Sequence, residues 1–228
     1  EFVDVKAVTS FVEGGFTLAN GDDRNDTNDA NKTYVAWCMK AGGTPTVDND
    51  NTSGAMDDGS VFKGGTVQTS YTPSGSPNIY PRKMSIAEHG GFSIVEYVGN
   101  GTDDQDVSHG LDTTLPDGGK PGFLMIKRTD TTANWVIGHD GLNVDSDGYP
   151  FTDFMNLDVN AQAYDADAVW SDEAPSSTVF TLGSGGGVNA NTGVYIAYLF
   201  QRVPGLIGFG KYTGNGDADG PYIVIDDG

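Results

Sequence analysis

Residues 180–205, FTLGSGGGVNANTGVYIAYLFQRVPG, decide the fold class. After a glycine-rich loop comes an unbroken apolar run, residues 194–200, rich in β-branched and aromatic side chains. Such side chains favour β-strands, and glycine and asparagine supply the backbone conformations of tight turns. The stretch therefore predicts a short strand over 179–182, a turn, and a long strand over 194–200.

The same order of motifs occurs earlier in the chain. Residues 16–42, FTLANGDDRNDTNDANKTYVAWCMKAG, also begin with Phe-Thr-Leu, continue through a polar loop and end in an apolar run, Tyr-Val-Ala-Trp at 34–37. A second motif, EYVGNG at 96–101, returns as KYTGNG at 211–216. Internal repetition in a fixed order is typical of tandem modules. We expect residues 34–37 and 195–198 to be strands in equivalent sheet positions.

Further strands are indicated by alternating or continuous apolar runs at 92–97, 123–127 and 135–139. Clusters of Gly, Asn, Asp and Pro separate these runs, and 33 of the 228 residues are glycine. The window 159–170 is compatible with a helix, although its Asp and Val content is unfavourable. The pattern predicts an all-β fold of antiparallel β-sandwich or jelly-roll-like modules in tandem, with little or no helix.

The unequal spacing of the two repeats predicts the domain organisation. Residues 1–42 are expected to end a first β module, 43–90 to form a Gly/Ser/Thr/Pro-rich insertion or linker strand region, 91–205 to form a full β-sandwich module, and 206–228 to start a following one. Strand-like runs at 2–5 and 222–225 lack partners in this scheme. We expect the sequence to be a window on a longer polypeptide whose neighbouring modules cover those strands.

Charge and composition exclude several classes of function. With 32 acidic and 12 basic residues, the net charge is −20, which would repel nucleic acid and anionic membranes. No apolar run is long enough to insert into a bilayer. Cys38 is the only cysteine, so no disulfide forms within the chain; its place in an apolar run predicts a buried side chain.

Catalytic patterns are weak, and the sequence predicts that the chain is not an enzyme. Its three histidines, His89, His109 and His139, are scattered, and no strand–helix nucleophile turn accompanies them. One cysteine and three scattered histidines offer no zinc-ligand spacing. The many carboxylates lie in loops beside Gly and Thr, and no pair is marked as the acid and base of a glycosidase.

Calcium is the one cofactor that the residues suggest. Two loops carry oxygen ligands at alternate positions before a glycine: Asn143, Asp145 and Asp147 in the first, and Asn215, Asp217 and Asp219 in the second. This is the first half of a calcium-loop pattern, but the twelfth position of the first loop is Phe154, which cannot bind a cation. Asp-Gly hairpin turns explain the same residues without a metal. Both interpretations are open, and no other cofactor is expected.

A string of motifs resembles a known family. GFSIVEYVGNG at 91–101, SHGL at 108–111, FLMIKRTDTTANWVIGHDGL at 123–142, and the C-terminal GFGKYTGNGDADGPYIVIDDG are similar to the repeated β module of tail-fibre and related virion proteins of marine bacteriophages, cyanophages especially. The resemblance implies an all-β fold and location in the virion, outside the cell. It transfers no catalytic residues.

The expected function is a structural and adhesive virion protein, part of a phage tail fibre or spike that contacts the host surface. Its partners would be other copies of itself, other virion proteins and a host-surface glycan, with no nucleic acid and no membrane insertion. Aromatic side chains in or near loops are the candidate sugar-binding residues: Tyr71, Tyr80, Tyr149 and Trp170. Alternatives are a capsid-attached fibre or decoration protein and a polysaccharide depolymerase.

Overall fold

The computed structural model describes residues 8–12, 14–19, 28–142 and 151–223. The chain divides into two compact units, Glu1–Met39 and Lys40–Gly228. The strands are β1 (Val8–Val12), β2 (Gly15–Leu18), β3 (Val61–Lys63), β4 (Thr66–Gln68), β5 (Lys83–Ile86), β6 (Phe92–Val98), β7 (Gln105–Ser108), β8 (Pro121–Arg128), β9 (Trp135–His139), β10 (Asp153–Asn156), β11 (Tyr164–Asp165), β12 (Val179–Leu182) and β13 (Val194–Gln201). Two one-turn helices complete the list, α1 (Asp167–Trp170) and α2 (Gly186–Asn189).

In the described part of the first unit, β1 and β2 form an antiparallel hairpin. Gly14 lies at the turn with a φ of +78°, a left-handed conformation that glycine adopts without steric cost. The hydroxyl of Thr17 lies 2.7 Å from that of Thr9 and 2.6 Å from that of Ser10, linking the two strands. An isolated two-stranded hairpin of this kind is only marginally stable in water.

The prediction that residues 34–37 form a strand equivalent to residues 195–198 is wrong for this chain. Residues 34–39 belong to no strand, and Val35 and Trp37 are each 82% exposed. Cys38 is exposed as well, which corrects the expectation that it is buried. A strand needs a neighbour for its N–H and C=O groups, and no described residue pairs with this segment. By contrast, residues 195–198 lie in the middle of β13.

The second unit is built on a nine-stranded sheet with the order β11-β10-β9-β8-β13-β6-β5-β3-β4. Every neighbouring pair is antiparallel except β3 and β5, which are parallel. The last of the described strands, β13, lies between β8 and β6 and pairs with both along most of its length. Its continuous apolar sequence fits this central position, where both edges and one face are covered.

A second layer, the antiparallel pair β7 and β12, covers one face of the sheet together with α1 and α2. Between the layers, the Tyr97 and Tyr195 rings stack at 5.2 Å, and the Phe180 ring packs edge-on against Tyr97 at 6.1 Å. The most completely buried side chains of this core include Trp170, Phe151, Met84, Leu124, Ile126, Leu182 and Leu199. The prediction of an all-β sandwich with little helix is confirmed.

Residues 43–90 contribute β3, β4 and β5 to the nine-stranded sheet. At the start of this segment, Gly42 lies directly against backbone atoms of Phe62 and Ile86, where a Cβ atom would have no room. The Gly42 N–H donates to the Ser85 hydroxyl at 3.0 Å, and the Gly42 carbonyl accepts from the Gly65 N–H at 2.6 Å. Glycine is thus required where the chain enters the second unit.

The helix-compatible window 159–170 is helical only at its end, in α1; Tyr164–Asp165 forms the edge strand β11 instead. A single turn of helix is favourable here because it places Val169 and Trp170 in the core. Of the two expected terminal strands, residues 2–5 and 224–225 lie outside the described residues. Tyr222 and Ile223 belong to no strand and are exposed.

Candidate functional site

The candidate site is the face of the nine-stranded sheet that points away from the core. Because side chains alternate along a strand, every second residue of the central strands lies on this face. We call it the outer face, and its central residues are Ile94, Glu96, Met125, Lys127, Trp135, Ile196 and Tyr198. All seven are partly exposed, and five of the seven are apolar or aromatic.

Strand register places these residues in two adjacent rows. Tyr198 lies opposite Ile94 on β6 and opposite Met125 on β8. In the next row, Ile196 lies opposite Glu96 and Lys127, and Lys127 lies opposite Trp135 on β9. The result is a surface of aromatic and aliphatic side chains that also carries one carboxylate and one ammonium group.

Trp135 and Tyr198 are the two aromatic residues of this surface, with ring centroids 6.1 Å apart. The Lys127 ammonium lies 5.6 Å from the Trp135 ring centroid and donates to the Ala133 carbonyl. Burial raises the pKa of Tyr198, so its hydroxyl stays protonated at neutral pH. No described residue hydrogen-bonds to that hydroxyl, which leaves it available to a ligand.

One end of the outer face is already covered by the chain itself. Phe209 packs against Phe123 with ring centroids 6.1 Å apart, and the Arg202 guanidinium lies 5.6 Å from the Phe209 ring. Arg202 also pairs with Asp140 at 2.5 Å. The Tyr198 and Trp135 rings make no ring contact with Phe209, so they lie outside this covered end.

A charged border lies on the β5 side of the face. Asp48 pairs with Arg82 and, at 2.6 Å, with Lys83, while Arg82 also contacts Glu96 at 3.5 Å. The hydrogen bond from Lys83, with the nearby Arg82 charge, holds the pKa of Asp48 below its usual value. In a chain of net charge −20, this border therefore brings basic groups next to the apolar rows.

The structure does not bring the four predicted sugar-binding aromatics together. Trp170 is 1% exposed, with its indole N–H donating to the Asp153 carbonyl at 3.2 Å, so its ring cannot stack on a ligand. Tyr71 packs against the core, where burial raises its pKa to about 12. The Tyr80 hydroxyl donates to the Gly54 carbonyl at 3.3 Å. Tyr149 lies outside the described residues.

Sequence reasoning missed Trp135 and Tyr198 because it looked for aromatics in loops. A signal was present: the runs 123–126 and 194–200 are apolar at every position. A strand in an antiparallel sheet with one solvent-exposed face alternates between apolar and polar residues. Continuous apolar runs therefore indicate that the face of the strand opposite the core is also covered.

Of the two predicted calcium loops, the first, with Asn143, Asp145 and Asp147, lies outside the described residues. In the second, the Asn215 side-chain oxygen accepts from the Asp217 N–H at 3.0 Å, and the Asn215 amide donates to the Gly220 carbonyl at 3.1 Å. These two hydrogen bonds form an Asx-type turn. All three residues, Asn215, Asp217 and Asp219, are exposed.

A different acidic group is found at the edge of β11. Carboxylate oxygens of Asp165, Asp167 and Asp172 lie within 4.8 Å of one another, and all three residues are exposed. Oxygen ligands of this type suit hard cations such as calcium. Exposed acidic groups of this kind are common without an ion, so the cluster by itself identifies no site.

His109 is buried and its ring is held by the backbone on both sides. Its Nδ1 accepts from the Leu111 N–H at 3.1 Å, and its Nε2 lies 3.3 Å from the Ser176 carbonyl, to which it donates. Burial lowers its pKa to about 4, although the bond to Ser176 raises it. A neutral histidine with both nitrogens occupied serves structure, not general-base catalysis.

We expect His109 to make stability depend on pH. Its pKa is about 4 in the folded chain against an ordinary 6.5, so the unfolded chain takes up the proton first as the pH falls. The contribution of neutral His109 to the free energy of unfolding is fully present above pH 6.5 and is lost as the pH falls towards 4. Between pH 7 and pH 5 the free energy of unfolding should fall by about 2 kcal/mol for this reason. Urea unfolding at the two pH values measures this loss. Between the two pH values, the His109→Gln variant should lose about 2 kcal/mol less free energy of unfolding than the unchanged chain. An equal loss in both proteins would contradict the role of His109 in this pH dependence.

Comparison with protein families gives one match. Residues 77–225 match the family described as Domain of unknown function (DUF7483), which is well over half of the chain. The chain belongs to the DUF7483 family. The matched region runs from the loop before β5 to the C-terminal segment, and so includes the central strands that carry the outer face of this DUF7483 module.

The comparisons with curated proteins and with solved structures give no match. Within the described ranges, no helix has the length and apolar character needed to cross a membrane.

Proposed function

We propose that the chain is a structural and adhesive module of a virion, part of a bacteriophage tail fibre or spike that contacts the host surface. The all-β sandwich, the repeated motifs and the resemblance to marine phage fibre modules support this proposal. Its partners are other copies of itself, other virion proteins and a glycan of the host surface. Its place is the virion, outside the cell, and its role is binding, not catalysis.

The observation that carries the proposal is the open outer face. A soluble module exposes a contiguous apolar surface when that surface is a contact site. Trp135 and Tyr198 offer ring faces, while Lys127, Glu96 and the free Tyr198 hydroxyl offer polar groups beside them. Sugars present apolar C–H faces edged by hydroxyls, so rings flanked by hydrogen-bonding groups suit them.

Replacement of Tyr198 or of Trp135 by alanine is expected to weaken binding to host cells or purified host-surface polysaccharide about tenfold each. Aromatic anchors at the centre of a contact surface commonly contribute at least about 1.4 kcal/mol, which corresponds to that factor. Biolayer interferometry with immobilised polysaccharide measures the change. Tyr222→Ala is the matched control, because Tyr222 is 93% exposed and lies in no strand.

Folding is checked separately by circular dichroism and thermal unfolding of each variant. If folded Tyr198→Ala and Trp135→Ala proteins bind as well as the unchanged chain, the outer face is not the adhesive surface. If the unchanged chain shortens the polysaccharide over hours, the depolymerase alternative replaces the adhesive role. Immunogold labelling of particles on the capsid instead of the tail would favour the decoration-protein alternative.

A further inference from the structure

Two exposed segments of the chain are copies of strands that pair with each other inside the module. The first is residues 34–39, YVAWCM, which repeats the sequence character of Tyr195 to Phe200 in β13. It belongs to no strand, and Val35 and Trp37 are each 82% exposed. Large exposed apolar side chains in a segment without sheet neighbours favour pairing with a strand of another chain.

The second segment is residues 207–216, IGFGKYTGNG, whose end repeats EYVGNG from β6 and the turn after it. Residues 208–216 also lie outside any strand, and Tyr212 is 67% exposed. Its position on the module is fixed at one point, where Phe209 packs against Phe123 and His139. The segment is thus anchored through Phe209, while Tyr212 remains exposed.

Within the module, the originals of these two segments are direct antiparallel partners. Tyr195 on β13 lies opposite Tyr97 on β6, and Leu199 lies opposite Ser93. The Tyr97 and Tyr195 rings stack at 5.2 Å with an angle of 13° between their planes. The β6–β13 pair therefore shows how sequences that resemble these two segments pair in this structure.

We propose that residues 34–39 of one copy of the chain pair with residues 207–212 of a second copy in the register of β6 and β13. Carried over by sequence, this register sets Tyr34 opposite Tyr212, and it sets Cys38 opposite Gly208. On the other face of the ribbon, Trp37 lies opposite Phe209. Aromatic cross-strand pairs of this kind add stability beyond the backbone hydrogen bonds.

The contact is heterologous, because each copy uses a different segment on each side. Such a contact leaves one free segment of each type after every addition, so it generates a chain of copies that grows until a ring closes or continues as a filament. This deepens the proposed function, since it names the contact between copies in a fibre. Glycan binding by the outer face does not depend on it, so the experiment above and the one below can fail independently.

A cysteine at position 208 tests the register. In the Gly208→Cys variant, the new thiol lies opposite the native Cys38 of the next copy, at a Cα separation of about 5.5 Å, which lies within the range that disulfides span. Mild oxidation followed by a non-reducing gel should give a ladder of trimers and longer species. The unchanged chain has one cysteine and stops at a dimer.

The matched control is Gly210→Cys, because the space around Gly210 is open to a Cβ atom and its position in the register faces Ala36. Species beyond the dimer should be several-fold more abundant for Gly208→Cys than for Gly210→Cys, and absent when Cys38→Ser is added. Equal ladders from both variants, a disulfide within single chains, or no ladder would overturn the proposal.

A second measurement avoids new cysteines altogether. Ala36→Pro removes a backbone N–H from the exposed segment and blocks strand pairing there. Under reducing conditions, the sedimentation coefficient of the unchanged chain should rise with concentration, and that of Ala36→Pro should not. A concentration dependence that is the same in both proteins would place the contact between copies elsewhere.

Discussion

Replacing Trp170 by alanine is expected to lower the free energy of unfolding of the Lys40–Gly228 unit by about 4 kcal/mol. The indole is 1% exposed, lies against Gly138 and donates to the Asp153 carbonyl at 3.2 Å. Its removal leaves a cavity between α1 and β9 and removes the hydrogen bond to the Asp153 carbonyl. Chemical denaturation followed by far-UV circular dichroism measures the loss.

Trp37→Ala is the control for this prediction, because it deletes the same side chain at a position that is 82% exposed. At concentrations where copies do not associate, its effect should stay within about 0.5 kcal/mol. A loss below about 1 kcal/mol for Trp170→Ala would mean that α1 moves to fill the cavity left by the indole. It would also mean that the packing of Trp170 does not stabilise the core.

Gly42→Ala should cost about 3 kcal/mol, although it adds a single methyl group. The new Cβ would meet the Phe62 carbonyl and the backbone of Ile86, and backbone atoms of paired strands cannot move aside as a flexible side chain can. The start of the second unit would then shift away from β3 and β5, breaking the bonds of Gly42 with Ser85 and Gly65.

Gly210→Ala is the matched control, since no atom lies within 4 Å of the position that its Cβ would take. Its thermal midpoint should stay close to that of the unchanged chain. A Gly42→Ala protein with the same midpoint as that control would show that the approach of residue 42 to the sheet is looser than described.

The fold class could be predicted because it depends on local pattern. Five runs expected to be strands, among them 92–97 and 194–200, coincide with β6, β8, β9, β12 and β13. Their partners could not be predicted, since β13 lies between two strands that are distant in sequence. The same limit explains the error at residues 34–37: an apolar run becomes a strand only when neighbours are present to accept its hydrogen bonds.

The residues of the candidate site could not be predicted from the sequence. The expectation of aromatic residues for a sugar was drawn from loops, and the structure instead offers Trp135 and Tyr198 on the sheet. Which face of a strand is buried depends on the second layer, here β7 and β12, and that layer forms through contacts that no local pattern encodes. The single helical turn α1, by contrast, places Trp170 in the core.

The central place of β13 has a consequence for how the chain is made. The ribosome delivers β3 to β6 and then β8 to β11 before β13 exists, and these two halves have no main-chain link in the sheet until β13 arrives. During translation, β6 and β8 each present an open edge, the state in which nascent β proteins aggregate. Because β13 comes after the other described strands of the sheet, we expect the sheet to close late in synthesis and those two edges to need protection until then.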